Sequence, residues 1–102
     1  MAVIKLTSKN FDIITSGDRT VLLDFYADWC GPCRMVSPIV DEISEEHPEY
    51  VVAKVNVDEE PELSAEFDVA SIPTLVVIKN GKITAQSAGA RPKAQILALL
   101  EG

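Results

Sequence analysis

The chain has 102 residues, the length of one domain, and its 47% apolar and 25% charged residues are ordinary for a soluble globular protein. A net charge of −7 argues against nucleic acid or an anionic membrane as a partner, because both need a basic surface. No apolar run approaches the length of a membrane span, and the start, MAVIKLTSKN, lacks the apolar core of a signal peptide. We therefore expect a single domain over residues 1–102, located by default in the cytoplasm, and a mature chain whose leader has been removed is the alternative.

The first segments of the chain alternate between strand-like and helix-like patterns. AVIKL at 2–6 predicts a short strand, and SKNFDIITS at 8–16 predicts a short helix that Ser8 or Asn10 could cap. TVLLDFYA at 20–27 is nearly continuous in apolar residues, which is typical of a strand buried on both faces.

A long amphipathic helix is predicted at residues 32–47, PCRMVSPIVDEISEEH. Its apolar residues follow the spacing i, i+3, i+4 and i+7, which places them on one helical face. They are Val36, Ile39, Val40 and Ile43. Pro32 suits the first turn, Pro38 should kink the helix, and Pro48 marks its end.

The rest of the chain continues the alternation with a strand, a short helix, two strands and a final helix: YVVAKVNV (50–57), EEPELSAEF (59–67), TLVVIKNGKITAQSA (74–88) and PKAQILALLE (92–101). Asn80-Gly81 favours a type I′ hairpin between the last two strands. The order βαβαβαββα predicts an α/β fold, with a parallel central sheet, helices on both faces and a terminal antiparallel pair.

Both cysteines of the chain, Cys30 and Cys33, lie in one short stretch, DFYADWCGPCRMV. Half of a zinc site is one interpretation, but a closed site needs four ligands and only His47 remains, so we expect no metal. A structural disulfide is another interpretation, although closing so short a loop stabilises the fold by only roughly 2 kcal/mol. In a reducing compartment such a pair is more often catalytic or metal-binding than structural.

A redox-active dithiol is the third interpretation, and the neighbouring residues favour it. Cys30 lies between the buried strand and the long helix, where the partial positive charge and free N–H groups of a helix N-terminus favour a thiolate. Cys33 follows one turn later, so its sulfur can face the first. Gly31 allows a tight turn, and Pro32 stiffens the loop and removes an N–H that could bond a sulfur.

Two charged residues interrupt the predicted buried strands. Asp24 in VLLDFYA is either a solvent-facing carboxylate or a buried, poorly paired one, whose raised pKa would let it accept a proton near neutral pH. Lys54 in VVAKVNV either extends to the surface or neighbours Asp24 and modulates its pKa.

The segment FYADWCGPCR, with Trp29 directly before Cys30, resembles the active-site signature of the thioredoxin family. The resemblance covers essentially the whole chain and includes Asp24, Pro38, Lys54, Ile72-Pro73, the KNG turn and Gly89. It implies the thioredoxin fold, with a central five-stranded mixed sheet flanked by four helices. The pattern of ASIPTLVV gives no independent reason to expect a cis bond, because only about 5–6% of X–Pro bonds are cis.

The resemblance implies a protein-disulfide reductase, that is, a thiol-disulfide oxidoreductase acting as an electron carrier. Cys30, exposed, would attack a substrate disulfide, and Cys33, more buried, would resolve the mixed disulfide. Asp24 would take the Cys33 proton through water, and Lys54 would tune Asp24. The only redox group would be the Cys30–Cys33 disulfide, with no bound cofactor.

The resemblance also implies a docking surface and partners. A cis Ile72-Pro73 bond would lie against the dithiol and offer the Ile72 backbone to an extended substrate. The flat apolar surface around it would consist of Trp29, Gly31, Gly89 and Ala90. Disulfide-containing client proteins would bind there. NADPH would supply electrons to the disulfide through a flavin-containing thioredoxin reductase. We also expect the protein to be a monomer.

Two other functions stay open. An oxidase or isomerase of folding proteins would run electrons the other way, although Gly31-Pro32 resembles the reducing members of the family. A non-catalytic binding subunit would only clamp an extended segment of another protein. Tyr26, Arg34 and Ala70-Ser71 depart from the most frequent family residues near the docking surface, so the clients are not predicted.

Overall fold

The computed structural model describes residues 3–102, so Ala2 of the predicted first strand lies outside the described residues. Five strands and four helices occur within this range, in the predicted order. The strands are β1 (Ile4–Lys5), β2 (Val21–Tyr26), β3 (Val51–Asn56), β4 (Thr74–Lys79) and β5 (Lys82–Ala88). The helices are α1 (Phe11–Thr15), α2 (Gly31–Glu46), α3 (Pro61–Glu66) and α4 (Lys93–Glu101).

The strands form one mixed sheet in the order β1-β3-β2-β4-β5. β1 and β2 run parallel to β3, whereas β4 is antiparallel to β2 and β5 is antiparallel to β4. The predicted mixed sheet is confirmed, and β2 lies at its centre, paired on both sides.

Helices cover both faces of the sheet, and the alternating side chains of β2 contribute to both. One face packs against α1 and α3 through Val21, Leu23, Phe25, Phe11, Leu63 and Phe67. The other packs against α2 and α4 through Leu22, Val52, Leu75, Val36, Val40, Ile43, Ile96 and Leu100. Asp24 shares the alternation of Leu22, so its carboxylate lies on the face that α2 and α4 cover.

The prediction that Ser8 or Asn10 caps the first helix is right for the position of Asn10 and wrong for the capping hydrogen bond. Asn10 occupies the position before α1, but its side chain makes no capping hydrogen bond. Its Oδ1 instead accepts the Thr7 N–H at 2.8 Å, and its Nδ2 donates to the Lys5 carbonyl at 3.0 Å. Ser8 precedes this position, and its N–H donates to Glu60 Oε1. The polar groups of this loop thus tie it to the end of β1 and to the residue preceding α3.

The β4–β5 hairpin places Asn80 at φ 52° and Gly81 at φ 77°. Two positive φ angles are what a type I′ turn requires. The turn therefore depends on a glycine whose backbone conformation other residues rarely adopt.

We expect Gly81→Ala to lower the free energy of unfolding by about 1 kcal/mol, because a side chain strains the left-handed backbone. A methyl group there meets no atom within 4 Å, so the loss would come from the backbone alone. Denaturant unfolding measures it. Gly17→Ala is the matched control, since its nearest contact is an ordinary 3.9 Å and its φ is not left-handed. Equal stability of the two variants would contradict the prediction.

Candidate active site

The sulfur of Cys30 caps the N-terminus of α2. Cys30 directly precedes the helix with an extended backbone, at φ −89° and ψ 111°. The N–H of Cys33 donates to Cys30 Sγ at 3.2 Å. The sulfur thus takes the place that a side-chain oxygen usually occupies at a helix start, where the helix dipole favours negative charge. In the reduced protein this arrangement favours the thiolate, which is the attacking form.

Cys30 and Cys33 are joined in a disulfide, with their Cα atoms 5.3 Å apart, so the structure is that of the oxidised protein. The expectation that Cys30 is exposed is wrong for this state, since only 4% of Cys30 and 3% of Cys33 are exposed. Val57 and Ile72 pack against the pair and cover it. Within residues 3–102, no group of three or more His, Cys, Asp or Glu side chains could hold a metal ion.

A groove of about 450 Å³ opens beside Cys30. Five residues of the predicted site line it, together with Ala70 and Ser71: Trp29, Cys30, Gly31, Pro32 and Ile72. The rest of the wall consists of three residues that the sequence does not predict as site residues: Val57, Ser64 and Val69. They lie after β3, in α3 and after α3, and no local sequence signal marks apolar or small residues at such positions as part of a groove.

The Ile72-Pro73 peptide bond is cis, as the resemblance implies. The Ile72 carbonyl oxygen lies 3.7 Å from Cys30 Sγ. Gly89, at φ 95°, donates its N–H to the Pro73 carbonyl at 2.8 Å, so it lies beside the proline. Ala90 instead lines a separate depression of about 310 Å³, next to Met35 and Ile39 of α2.

Trp29 projects from the loop before Cys30 and is 69% exposed. Its indole N–H donates to Asp58 Oδ2 at 2.8 Å, which fixes the ring at the edge of the groove. No role is predicted for Asp58 from the sequence, because an acidic residue in the stretch DEEPE is typical of a solvated segment.

Asp24 is only 1% exposed, and neither of its carboxylate oxygens has a hydrogen-bond partner among residues 3–102. Burial raises the pKa of Asp24 to about 6, because desolvation disfavours the charged form. The positive charge of Lys54 acts in the opposite direction and the negative charge of Asp41 adds to the rise. Asp24 therefore exchanges its proton close to neutral pH.

Lys54 is the neighbour of Asp24 in the β2–β3 register, but its ammonium group turns towards α2. Lys54 Nζ donates to Ser37 Oγ at 2.5 Å and to Asp41 Oδ1 at 2.9 Å. Its side chain is 19% exposed. Lys54 thus reaches partly to the surface and also neighbours Asp24, so both interpretations of the sequence hold in part. Neither interpretation predicts the contacts with Ser37 and Asp41.

The fold and the disulfide at the start of α2 define a thiol-disulfide oxidoreductase, and the comparisons with known proteins specify which kind. A family model described as Thioredoxin matches residues 2–102. Thioredoxin of Alicyclobacillus acidocaldarius subsp. acidocaldarius is 48% identical over 100 residues, 97% of this chain and 95% of that protein. Thioredoxin of Haemophilus influenzae is 43% identical over 96 residues, 92% of this chain and 90% of that protein.

A solved structure of a mutant thioredoxin from Halobacterium salinarum NRC-1 matches with a TM-score of 0.90 and 35% identity, over 98% of this chain and 88% of that one. The chain belongs to the thioredoxin family. Its activity is the reduction of protein disulfides through the Cys30–Cys33 pair.

We expect Asp24→Asn to stabilise the protein at pH 7 by up to about 3 kcal/mol, the free-energy equivalent of raising its pKa from 3.8 to about 6. The unfolded carboxyl group releases its proton near pH 4, whereas the folded protein holds it until near pH 6. The contribution of Asp24 to the free energy of unfolding therefore falls as the pH rises between these two values and is constant above them. The advantage of Asp24→Asn should vanish below about pH 4.

Denaturant unfolding of the oxidised protein at pH 4 and pH 7 measures this difference. Asp18→Asn is the control, because Asp18 is an exposed carboxylate that undergoes the same loss of charge. A stability gain for Asp24→Asn that is the same at both pH values would show that its charge is not the cause.

Proposed function

We propose that Cys30 is the nucleophile of disulfide reduction and Cys33 the resolving cysteine. The single observation that carries this assignment is the hydrogen bond from the Cys33 N–H to Cys30 Sγ at the start of α2. Cys30 also borders the 450 Å³ groove, whereas Cys33 borders a smaller cavity of about 160 Å³ on the side of Tyr26 and Ser37. A substrate in the groove therefore meets the sulfur that the helix end favours as an anion.

The first step is the attack of the Cys30 thiolate on one sulfur of the substrate disulfide. The bond between the two substrate sulfurs breaks, a mixed disulfide with Cys30 forms, and the second substrate sulfur leaves as a thiolate that takes up a proton. The electron pair of the attacking sulfur forms the new bond, so the step needs no bound cofactor.

The second step is the attack of Cys33 on Cys30 Sγ. Cys33 first gives its proton to Asp24, whose pKa of about 6 lets it accept the proton and return it to solvent. The new Cys33 thiolate then forms a bond to Cys30 Sγ, the bond between Cys30 and the substrate sulfur breaks, and that sulfur leaves as a thiolate that takes up a proton from solvent. The 160 Å³ cavity beside Cys33 has room for water to carry the proton, and Lys54 modulates Asp24 through its charge.

The docking surface that we propose for an extended client segment lies along the groove. The Ile72 backbone and Pro73 would contact the segment, because the Ile72 carbonyl lies next to Cys30 Sγ. Trp29 supplies an exposed aromatic edge, and Gly31 and Pro32 form the neighbouring wall and tune the dithiol. Gly89, beside Pro73, would extend the surface out of the groove, and Ala90 would continue it into the separate depression next to α2.

We further propose that residues 1–102 form one domain that works as a monomer in the cytoplasm, where a reducing environment suits a dithiol. A flavin-containing thioredoxin reductase would return two electrons from NADPH to the Cys30–Cys33 disulfide after each cycle. Nucleic acid and membranes are not partners in this proposal, which the net charge of −7 supports. In residues 3–102, no helix has the length and apolarity to cross a bilayer.

We expect the protein to reduce insulin, used as the disulfide substrate, when NADPH and a thioredoxin reductase are supplied. Cys30→Ser should abolish the consumption of NADPH, because the attacking sulfur is lost. Cys33→Ser should trap a mixed disulfide with the substrate, visible as a heavier band on a non-reducing gel. Thermal unfolding of both variants controls for the fold, and a trapped adduct with Cys30→Ser instead would contradict the assignment.

The direction of electron flow has its own test. The reduction potential of the Cys30–Cys33 pair, measured against glutathione, should lie in the range of reducing members of the family. A potential in the range of oxidising folding catalysts would favour the oxidase or isomerase function. Full cellular activity of the Cys30→Ser, Cys33→Ser double variant would instead show that the protein acts by binding alone.

A further inference from the structure

Lys54 and Asp24 carry opposite charges on adjacent strands, yet their side chains do not bond. The two residues are register partners in the β2–β3 pair. Nevertheless, no described residue hydrogen-bonds the Asp24 carboxylate, and the Lys54 ammonium group bonds to Ser37 and Asp41 of α2. Because a lysine side chain has several rotamers, the contacts with Ser37 and Asp41 hold Lys54 in the rotamer that points towards α2.

The residues that hold Lys54 are aligned with the resolving cysteine. Cys33, Ser37 and Asp41 follow one another at intervals of four residues along α2, which puts them on one side of the helix. Cys33 and Ser37 also line the same 160 Å³ cavity. The contacts that orient Lys54 therefore begin one helical turn from the sulfur that must lose a proton.

We propose that Ser37 and Asp41 are positioning residues for the resolving step, which hold the Lys54 ammonium group against α2 and so keep it from pairing with Asp24. This inference rests on the proposed role of Asp24 as proton acceptor. Ser37 accepts one N–H of the ammonium group, and Asp41 supplies both an acceptor and an opposite charge.

A direct ion pair between Lys54 and Asp24 would stabilise the charged carboxylate and make it a weaker base. The charged groups that act on Asp24 are Lys54 from β3 and Asp41 from α2, while β4 presents Leu75. The Cys33 thiol on α2 adds a titrating group only in the reduced protein. Anchoring Lys54 on α2 therefore leaves burial as the dominant influence on Asp24, which suits proton exchange near neutral pH.

The decisive variant is Asp41→Asn, studied in the oxidised protein, where neither cysteine titrates. We expect the pKa of Asp24, followed by ¹³C NMR of its carboxyl carbon, to fall by about one unit as Lys54 turns towards it. Ser37→Ala removes one of the two contacts and should lower the pKa by less. Asp41 has a side chain that is 56% exposed, so its replacement leaves the core intact.

Glu45→Gln is the matched control, because Glu45 is an exposed carboxylate on the same helix, one turn beyond Asp41, and undergoes the same change of charge. It should leave the Asp24 titration unchanged. A fall in the Glu45→Gln variant as large as that in Asp41→Asn would overturn the proposal, as would an unchanged titration in Asp41→Asn.

A double-mutant cycle with Lys54→Gln separates anchoring from simple proximity of charge. If Asp41 acts by holding Lys54, Asp41→Asn should lower the Asp24 pKa much less in the Lys54→Gln background. An equal fall in both backgrounds would show that Asp41 acts only as a nearby charge, and would overturn the inference.

The role of Asp24 itself is tested by the rate at which the mixed disulfide resolves, measured between pH 6 and 9. If Asp24→Asn leaves this rate unchanged, the proposed proton acceptor is wrong, whereas the titrations above still decide whether Ser37 and Asp41 hold Lys54. If Asp24→Asn slows resolution, we expect Asp41→Asn to shift its pH dependence to lower pH and Glu45→Gln to leave it in place.

Discussion

The contact on which the site depends is the hydrogen bond from the Cys33 N–H to the Cys30 sulfur at the start of α2. It requires the helix to begin directly after Cys30, as α2 does at Gly31, a few residues beyond the end of β2 at Tyr26. Cys30 Sγ therefore accepts the Cys33 N–H, lies at the positive end of a helix and borders the groove. The sheet holds this point in place because β2 is paired on both sides.

The same buried strand places a charge where it destabilises the fold. Asp24 lies on the face of β2 that α2 covers, nearly inaccessible to solvent and without a hydrogen-bond partner among residues 3–102. A folded chain selected for stability alone would carry an apolar residue here. The destabilising carboxylate instead provides a group with a pKa of about 6 beneath the helix that bears Cys33. The Lys54 ammonium group bonds to Ser37 and Asp41 and not to Asp24, so the carboxyl group keeps its raised pKa.

The periodic and compositional signals in the sequence predict the larger elements correctly. The apolar run at 20–27 and the helical spacing at 32–47 correspond to β2 and α2, and the cysteine pair marks the redox site. Features that depend on packing are not predictable in this way. The direction of the Lys54 side chain depends on two residues of α2, 17 and 13 positions away in the chain. The burial of Cys30 depends on Ile72, which is separated from Cys30 in the chain by α2, β3 and α3.

The proposed mechanism requires that the start of α2 stabilises Cys30 as a thiolate. The most direct test is the ultraviolet absorbance of the thiolate in the reduced Cys33→Ser variant, which keeps the backbone N–H at position 33 and leaves a single thiol to titrate. At pH 7 we expect a thiolate fraction well above the few per cent of an ordinary cysteine. A fraction of a few per cent or less would rule out a stabilised Cys30 thiolate, because the helix end would then give the sulfur no advantage over a free thiol.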